Sequence, residues 1–215
     1  GYALRIDRTG VLAAANDAPG LYYAVRTLEQ ILRLRRAGRR AVPALEIRDW
    51  PTLRHRALMV DIARQVERGD WLEELAARMA GYKKNMFVLY FEDKFRWRKH
   101  SALGHPMGYT AEEFRSLART CEAHHMEFVP ALASLGHCEG MLKHPEIAHL
   151  REDGAIYQLA LRHRGTRRLL EDLYDEILPL YRGRYFHANC DESPLLAGPP
   201  GSPRSYFRES LRLFS

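Results

Sequence analysis

The chain has 215 residues, of which 46% are hydrophobic and 28% are charged, and its 33 Lys and Arg against 27 Asp and Glu give a net charge of +6. This length suffices for one substantial core, or for a small domain plus part of a larger one, and the composition is ordinary for a globular protein. No stretch approaches about 18 uninterrupted apolar residues, so the pattern excludes a transmembrane helix.

The first 44 residues have the patterns of the C-terminal part of a small α+β domain. Residues 1–14 alternate apolar and polar side chains around a Thr-Gly turn, which predicts a β-hairpin. Residues 21–36 carry apolar side chains at helical spacing. Residues 41–51 contain two prolines and are predicted to form an extended linker. Because the strand pattern already begins at Gly1, we expect further chain to precede it.

Strand and helix patterns alternate in the second predicted domain, which runs from residue 45 to residue 215. Near-continuous apolar runs predict strands at 56–62, 86–91, 126–132 and 184–189. Helical spacing lies between them at about 70–81, 110–124 and 163–181. Buried strands that alternate with helices are typical of parallel β/α units. Four such units make half of a (β/α)8 barrel or most of a small doubly wound sheet, and the pattern alone does not choose between them.

Each predicted strand of this domain ends in charged or imidazole side chains. These are Asp61 and Arg64, then Glu92 and Asp93, then His137, and finally Asp191 and Glu192. Because the carboxyl ends of parallel strands share one face of such a fold, we expect the side chains to converge on one pocket. Neighbours on a regular strand point to opposite faces, so the last two carboxylates can share that pocket only if the chain bends at 190–193. Ser193 and Pro194 favour the bend, although a helix start capped by Asp191 or Ser193 is an alternative.

Cysteine usage and charge distribution restrict the cofactors and partners. The chain has three cysteines, Cys121, Cys138 and Cys190, and they lack the paired spacing of a disulfide or zinc framework. Their spacing predicts free thiols and a cytoplasmic location. The densest basic run, residues 32–40, falls where a helix should end, and cations suit the helix dipole there. Basic residues are not interleaved with exposed aromatic side chains, so we expect no nucleic-acid partner. We also expect no membrane partner, no metal and no other cofactor.

Five segments of the chain match, in order, the segments of one known enzyme family. "GLYYAVRTLEQIL" (20–32) is similar to the helix that closes the small domain of that family, and "RDWPTLRHRALMVDIAR" (48–64) to its first barrel strand. "LYFEDKF" (89–95) and "VPALASLGHCE" (129–139) resemble the ends of the second and third strands. "YFHANCDES" (185–193) is similar to its His-x-Gly-x-Asp-Glu signature. By these segments the chain resembles glycoside hydrolase family 20, the β-N-acetylhexosaminidases. The resemblance implies an α/β fold in which part of a small α+β domain precedes the first half of a (β/α)8 TIM barrel, with four further units expected after residue 215.

The resemblance also implies a reaction, namely removal of terminal β-linked N-acetylglucosamine or N-acetylgalactosamine with retention of configuration. The nucleophile would be the sugar's own 2-acetamido oxygen, so the family is an exception to the rule of two spaced carboxylates. By the match, Glu192 is the general acid and later the base, and Asp191 orients the acetamido group. The two carboxylates are then adjacent because they address neighbouring parts of one sugar ring.

The other matched residues are expected to bind the substrate or to support the acid. Arg64 would hold ring hydroxyls, because a planar guanidinium can bind two oxygens. His137 would pair with Glu92 or Asp93 in a polar network that supports Glu192. The oligomeric state is left open.

Some positions depart from the family pattern or leave alternatives open. Asn189 stands where the family usually has glycine, and a positive φ would explain why Asn is tolerated there. Trp97 and Tyr90 could offer aromatic area to a sugar, although core packing is favoured for Tyr90. We expect the 215-residue chain by itself to be inactive or nearly so. A carbohydrate-binding domain that lacks a complete catalytic pocket is one alternative, and the other is a metal-dependent hydrolase that uses His124, His125, His137, His187 and Cys190, although no close-spaced ligand motif occurs.

Overall fold

The structure is a computed structural model and describes residues 1–38 and 41–193. Its first part contains β1 (Tyr2–Asp7), β2 (Gly10–Ala15), α1 (Ala18–Ala37) and β3 (Leu45–Asp49). Its second part contains β4 (Ala57–Asp61), α2 (Gly69–Gly81), β5 (Met86–Tyr90), α3 (Ala111–Ala123), β6 (Glu127–Ala133), α4 (Glu139–Leu142), β7 (Arg151–Glu152), β8 (Ala155–Leu159), α5 (Arg164–Ile177) and β9 (His187–Asn189). No helix among the described residues combines the length and the apolar character needed to cross a bilayer.

The first part is a three-stranded antiparallel sheet in the order β2-β1-β3, with α1 packed against it. Side chains on alternate positions of β1 are buried, as expected for a strand with one face on a core. The N-terminus of α1 is capped by Asp17, whose side chain accepts a hydrogen bond of 2.7 Å from the Gly20 amide. Arg35 and Arg36 lie in its last turn. The predicted hairpin and helix are therefore confirmed, and residues 39–40 of the basic run lie outside the described residues.

The predicted linker at 41–51 is wrong over the residues that form β3. This strand pairs antiparallel with β1, and Tyr2 stands opposite Asp49. Proline removes a ladder donor only where it stands within a strand. Pro43 and Pro51 flank β3 and leave its own donors intact. The small sheet therefore extends to residue 49, beyond the predicted division at residue 44.

The second part is built on a four-stranded parallel sheet in the order β4-β5-β6-β9. α2, α3 and α5 connect these strands, which confirms the predicted β/α units. α3 begins at a capping box, in which Thr110 and Glu113 each bind the other's main-chain amide. The last strand is shorter than predicted, because only 187–189 pair with β6.

Buried aromatic side chains fill the space between this sheet and α3. Phe91, Phe95 and Phe114 are almost fully buried and meet edge to face or tilted. Trp97 joins this cluster with 3% of its surface exposed, and its ring centroid lies 4.7 Å from that of Phe95. The expectation that Trp97 offers a face to sugar is therefore wrong, since its ring is part of the core.

The sequence analysis missed the hairpin of β7 and β8, which is inserted between β6 and α5. Its turn contains Asp153 and Gly154, both with positive φ, and Asp-Gly is a recognised hairpin signal. The hairpin is tied to the segment after β6 by the bonds Cys138 N–Tyr157 O (3.0 Å) and Leu159 N–Leu135 O (2.9 Å). It therefore sits beside the carboxyl end of the parallel sheet.

Candidate active site

The carboxyl ends of the four parallel strands open into one groove of about 670 Å³. Every strand contributes to its lining: Met59, Asp61, Arg64, Tyr90, His137, His187, Asn189, Cys190, Asp191 and Glu192. The predicted strand-end side chains thus lie together, with the exceptions described below.

Two other hollows, of about 670 and 730 Å³, lie near the amino-terminal end of β6. Volume therefore does not single out the groove. The groove is chosen because it brings adjacent carboxylates, an imidazole and a guanidinium together at the strand ends where parallel β/α folds carry their sites.

Arg64 is held by a buried carboxylate on one side of the groove. Its Nη1 donates to Glu92 Oε2 at 2.9 Å and to Oε1 at 3.1 Å. The Glu92 side chain is 3% exposed, whereas that of Arg64 is 65% exposed. Tyr90 completes the arrangement by donating its hydroxyl to Glu92 Oε1 at 2.9 Å. A buried carboxylate needs such partners, so Glu92 fixes the guanidinium and leaves part of it free for a ligand.

Tyr90 belongs to the core, as the sequence analysis favours, and it also lines the groove. Burial, and then the charge of Glu92, raises the pKa of its hydroxyl far above the usual value. The hydroxyl therefore remains a hydrogen-bond donor to Glu92 at neutral pH.

Asp93, like Glu92, does not line the groove, which departs from the prediction of both as substrate-binding residues. The Asp93 side chain is 3% exposed and forms ion pairs with Lys94 and with Lys143 Nζ, the latter at 3.4 Å. It also packs on the backbone of Gly140, where an added Cβ would lie 2.7 Å from its Cγ. Asp93 therefore ties β5 to the start of α4.

His137 lies in the groove but has a different partner from the one predicted. Its Nε2 lies 3.3 Å from Glu192 Oε2 and 3.4 Å from the hydroxyl of Tyr157. The prediction of a pair with Glu92 or Asp93 is wrong, because those carboxylates are already occupied by a guanidinium or by lysines. His137 therefore contacts the predicted acid directly.

The last two strand-end carboxylates follow β9 in a tight turn. Asp191 Oδ1 accepts a hydrogen bond of 3.0 Å from the Glu192 amide, and Glu192 has a left-handed backbone with φ 44°. This is the predicted bend, and through it both residues line the groove. The Glu192 side chain is 71% exposed, so a ligand can reach it. Ser193 is buried, and Pro194 lies outside the described residues.

Close packing beneath the turn explains the glycine at residue 136. A Cβ added to Gly136 would lie 2.4 Å from the main-chain oxygen of Asp191 and 3.3 Å from that of Glu192. Only glycine lets the segment after β6 approach the turn this closely.

The explanation offered for Asn189 is wrong, because its backbone is that of a strand. Asn189 pairs with Ala133 in the β6–β9 ladder and does not adopt a positive φ. The left-handed residue of this segment is Glu192 instead.

The three cysteines are free thiols, as predicted. Cys190 lines the groove, and burial raises its pKa to about 11. The reactive thiolate is then roughly one part in a thousand at pH 8. We expect iodoacetamide to modify Cys190 slowly at pH 8, with a rate constant that rises about tenfold per pH unit up to about pH 10. Mass spectrometry of the alkylated peptide measures this rate, with buried Cys121 as the internal control; rapid modification at pH 7 would contradict it.

The histidines of the metal-dependent alternative lie in two separate places. His137 and His187 line the groove, whereas His124 ends α3 and its Nδ1 lies 2.8 Å from the hydroxyl of Tyr22. Within residues 1–38 and 41–193, no group of three or more His, Cys, Asp or Glu side chains is placed to hold a metal ion. Glu192 beside His137 can support acid–base chemistry, and the exposed guanidinium of Arg64 can bind hydroxyl groups.

Comparison with known proteins gives one family and a consistent set of relatives. Residues 1–50 match the family model described as "Glycosyl hydrolase family 20, domain 2". Nine tenths of the chain is 25% identical to a β-hexosaminidase of Porphyromonas gingivalis, of which it covers 29%, and to one of Vibrio furnissii, of which it covers 37%. The chain therefore spans about a third of the length of these curated relatives.

Solved structures of the same family match the fold. The β-N-acetylhexosaminidase of Streptomyces coelicolor is 27% identical with a TM-score of 0.79, and the match covers 90% of this chain and 45% of that one. The N-acetyl-β-hexosaminidase of Streptomyces plicatus is 25% identical with a TM-score of 0.83, and the match covers 98% of this chain and 47% of that one. The resemblance to glycoside hydrolase family 20 is confirmed, as is a fold made of part of a (β/α)8 barrel.

Proposed function

We propose that the protein containing this chain, a relative of the family 20 glycoside hydrolases, removes terminal β-linked N-acetylglucosamine or N-acetylgalactosamine from glycans or glycosides. The observation that carries the proposal is the groove itself, in which Glu192 meets His137 while Arg64 is fixed by Glu92. We expect the activity of the complete protein rather than of these 215 residues alone. A cytoplasmic location remains part of the proposal.

In the first step, the 2-acetamido oxygen of the bound sugar attacks the anomeric carbon. The bond from that carbon to the glycosidic oxygen breaks, and Glu192 gives its proton to the departing oxygen. Asp191 orients the acetamido N–H and stabilises the positive charge that develops on the nitrogen. The product of this step is a cyclic oxazolinium ion and a free alcohol.

In the second step, water attacks the anomeric carbon of the oxazolinium ion. The Glu192 carboxylate accepts a proton from that water, and the ring bond to the acetamido oxygen breaks. The amide is restored and the sugar is released with its original configuration. The same residue acts as acid and then as base, so the enzyme returns to its starting protonation state.

Arg64 has the geometry of a hydroxyl-binding residue. The pairing with Glu92 occupies Nη1, and the exposed remainder of the guanidinium faces the groove. In our proposal its free N–H groups donate to ring hydroxyls and hold the sugar with its anomeric carbon towards Glu192.

A pair of chromogenic substrates tests the function in the complete protein. We expect turnover of p-nitrophenyl N-acetyl-β-glucosaminide and none of p-nitrophenyl β-glucoside, because only the former carries the nucleophile. The activity should be insensitive to a chelator. Equal turnover of both substrates would overturn the proposed mechanism, and loss with chelator would favour the metal-dependent hydrolase. Tight sugar binding without turnover would favour a carbohydrate-binding domain.

A further inference from the structure

Tyr157 reaches the acid of the groove from an element that the strand-end pattern did not predict. It lies on β8 of the inserted hairpin, and its hydroxyl donates to the main-chain oxygen of Glu192 at 2.9 Å. The same oxygen atom of Tyr157 lies 3.4 Å from His137 Nε2 and 3.5 Å from Glu192 Oε2. One hydroxyl is therefore in reach of both the backbone and the carboxylate of Glu192.

The main-chain bond matters because Glu192 has an unfavourable backbone. A residue with a Cβ in the left-handed region is strained and keeps that conformation only where its surroundings hold it. The Tyr157 hydroxyl satisfies the Glu192 carbonyl in this conformation. The hydroxyl donates towards the carbonyl and the carboxylate of Glu192, which leaves its lone pairs available to His137 Nε2. Tyr157 and His137, whose rings meet edge to face at 5.1 Å, thus contact Glu192 from one side.

The hairpin holds Tyr157 firmly in this place. The Tyr157 carbonyl accepts the Cys138 amide at 3.0 Å, immediately after His137, and Leu159 donates to Leu135. The tyrosine and the histidine are therefore joined through the backbone as well as through their rings. Burial, followed by the charge of Glu192, raises the pKa of the Tyr157 hydroxyl, so it stays protonated at neutral pH.

We propose that Tyr157 is a positioning residue for the general acid–base Glu192, which it holds in the left-handed conformation that aims the carboxyl group at the glycosidic oxygen. This inference rests on the proposed function. Loss of the Tyr157 hydroxyl should therefore affect some substrates more than others, because a misplaced acid slows only the reactions that need a proton on the leaving group.

Tyr157→Phe in the complete protein tests the proposal, with two leaving groups compared. A methyl N-acetyl-β-glucosaminide needs its departing oxygen protonated, whereas a 2,4-dinitrophenyl glycoside releases a stable anion without help. We expect kcat/KM for the methyl glycoside to fall about 10- to 100-fold and that for the dinitrophenyl glycoside to fall less than about threefold. The quantity kcat/KM is chosen because it reports formation of the oxazolinium ion, the step in which the acid acts.

Tyr181→Phe is the matched control. Its hydroxyl also donates to a main-chain oxygen, that of Tyr185 at 3.0 Å, but Tyr181 is not part of the groove. We expect this variant to keep wild-type kcat/KM for both substrates. Thermal unfolding of both variants verifies that the fold is retained.

The outcomes separate the two proposals. An equal fall for both leaving groups, or no fall for either, would overturn the role of Tyr157 while the wild-type protein remained active. A wild-type protein that cleaves neither glycoside would overturn the proposed function, and the inference with it.

Discussion

Glu192→Gln is expected to lower kcat/KM for a β-N-acetylglucosaminide with an alcohol leaving group by about 10²- to 10⁴-fold, the range that a general acid contributes. The amide has nearly the shape of the carboxyl group but has no acidic proton to transfer. Its oxygen can still accept from His137, whose Nε2 lies 3.3 Å from the native carboxylate, so the groove should keep its form. KM should therefore change little. Initial rates with the methyl and the 2,4-dinitrophenyl glycosides measure the effect.

The control for this variant is Glu171→Gln. Glu171 is an exposed carboxylate on α5 that pairs with Arg167 one helical turn away, and neither residue lines the groove. Exposed pairs of this kind contribute little, so activity and stability should be unchanged. Full activity of Glu192→Gln on the methyl glycoside would rule out Glu192 as the acid.

Gly136→Ala is expected to lower kcat/KM by about 100-fold without unfolding the protein, because a displacement of about 1 Å in a site can cost that much. The new Cβ would lie 2.4 Å from the main-chain oxygen of Asp191, so the turn that carries both carboxylates must move. The contact is with backbone, which cannot rotate away as a side chain can. Circular dichroism and thermal unfolding establish that the fold persists, and kinetics with both leaving groups measure the loss.

Gly81→Ala is the matched control for the glycine substitution. Gly81 ends α2, and a Cβ at that position meets no heavy atom within 4 Å. Alanine favours a helix over glycine, so this variant should be as active as the wild type and at least as stable. If Gly136→Ala also kept full activity, the turn would have to tolerate displacement, and the fixed geometry proposed for Asp191 and Glu192 would fail.

Much of the fold follows from local patterns in the sequence. Apolar runs predict β4, β5 and β6 to within two residues. β5 and β6 carry apolar side chains at successive positions because both of their faces are buried. α3 begins where the capping box of Thr110 and Glu113 predicts. The convergence of strand-end side chains follows as well, since parallel strands that alternate with helices must place their carboxyl ends on one face. The sequence analysis misses β3, because Pro43 and Pro51 predict an extended linker over the whole segment although neither proline stands within the strand.

Pairing within the groove depends on the tertiary structure. The sequence places His137, Glu92, Asp93 and Glu192 at strand ends but does not tell which carboxylate the imidazole meets. Tertiary packing decides this, because Arg64 and Tyr90 occupy Glu92 and lysines occupy Asp93, which leaves His137 to contact Glu192.

The contact of Tyr157 with Glu192 is likewise not predictable from the sequence. It joins residues 35 positions apart and depends on how an inserted hairpin docks. The periodicity of apolar residues indicates which side of a helix or strand is buried, because each residue's type reflects its own burial. A hydrogen-bond partner is instead the outcome of competition among all the donors and acceptors that folding brings within about 3 Å, and only the folded chain determines which of them are present.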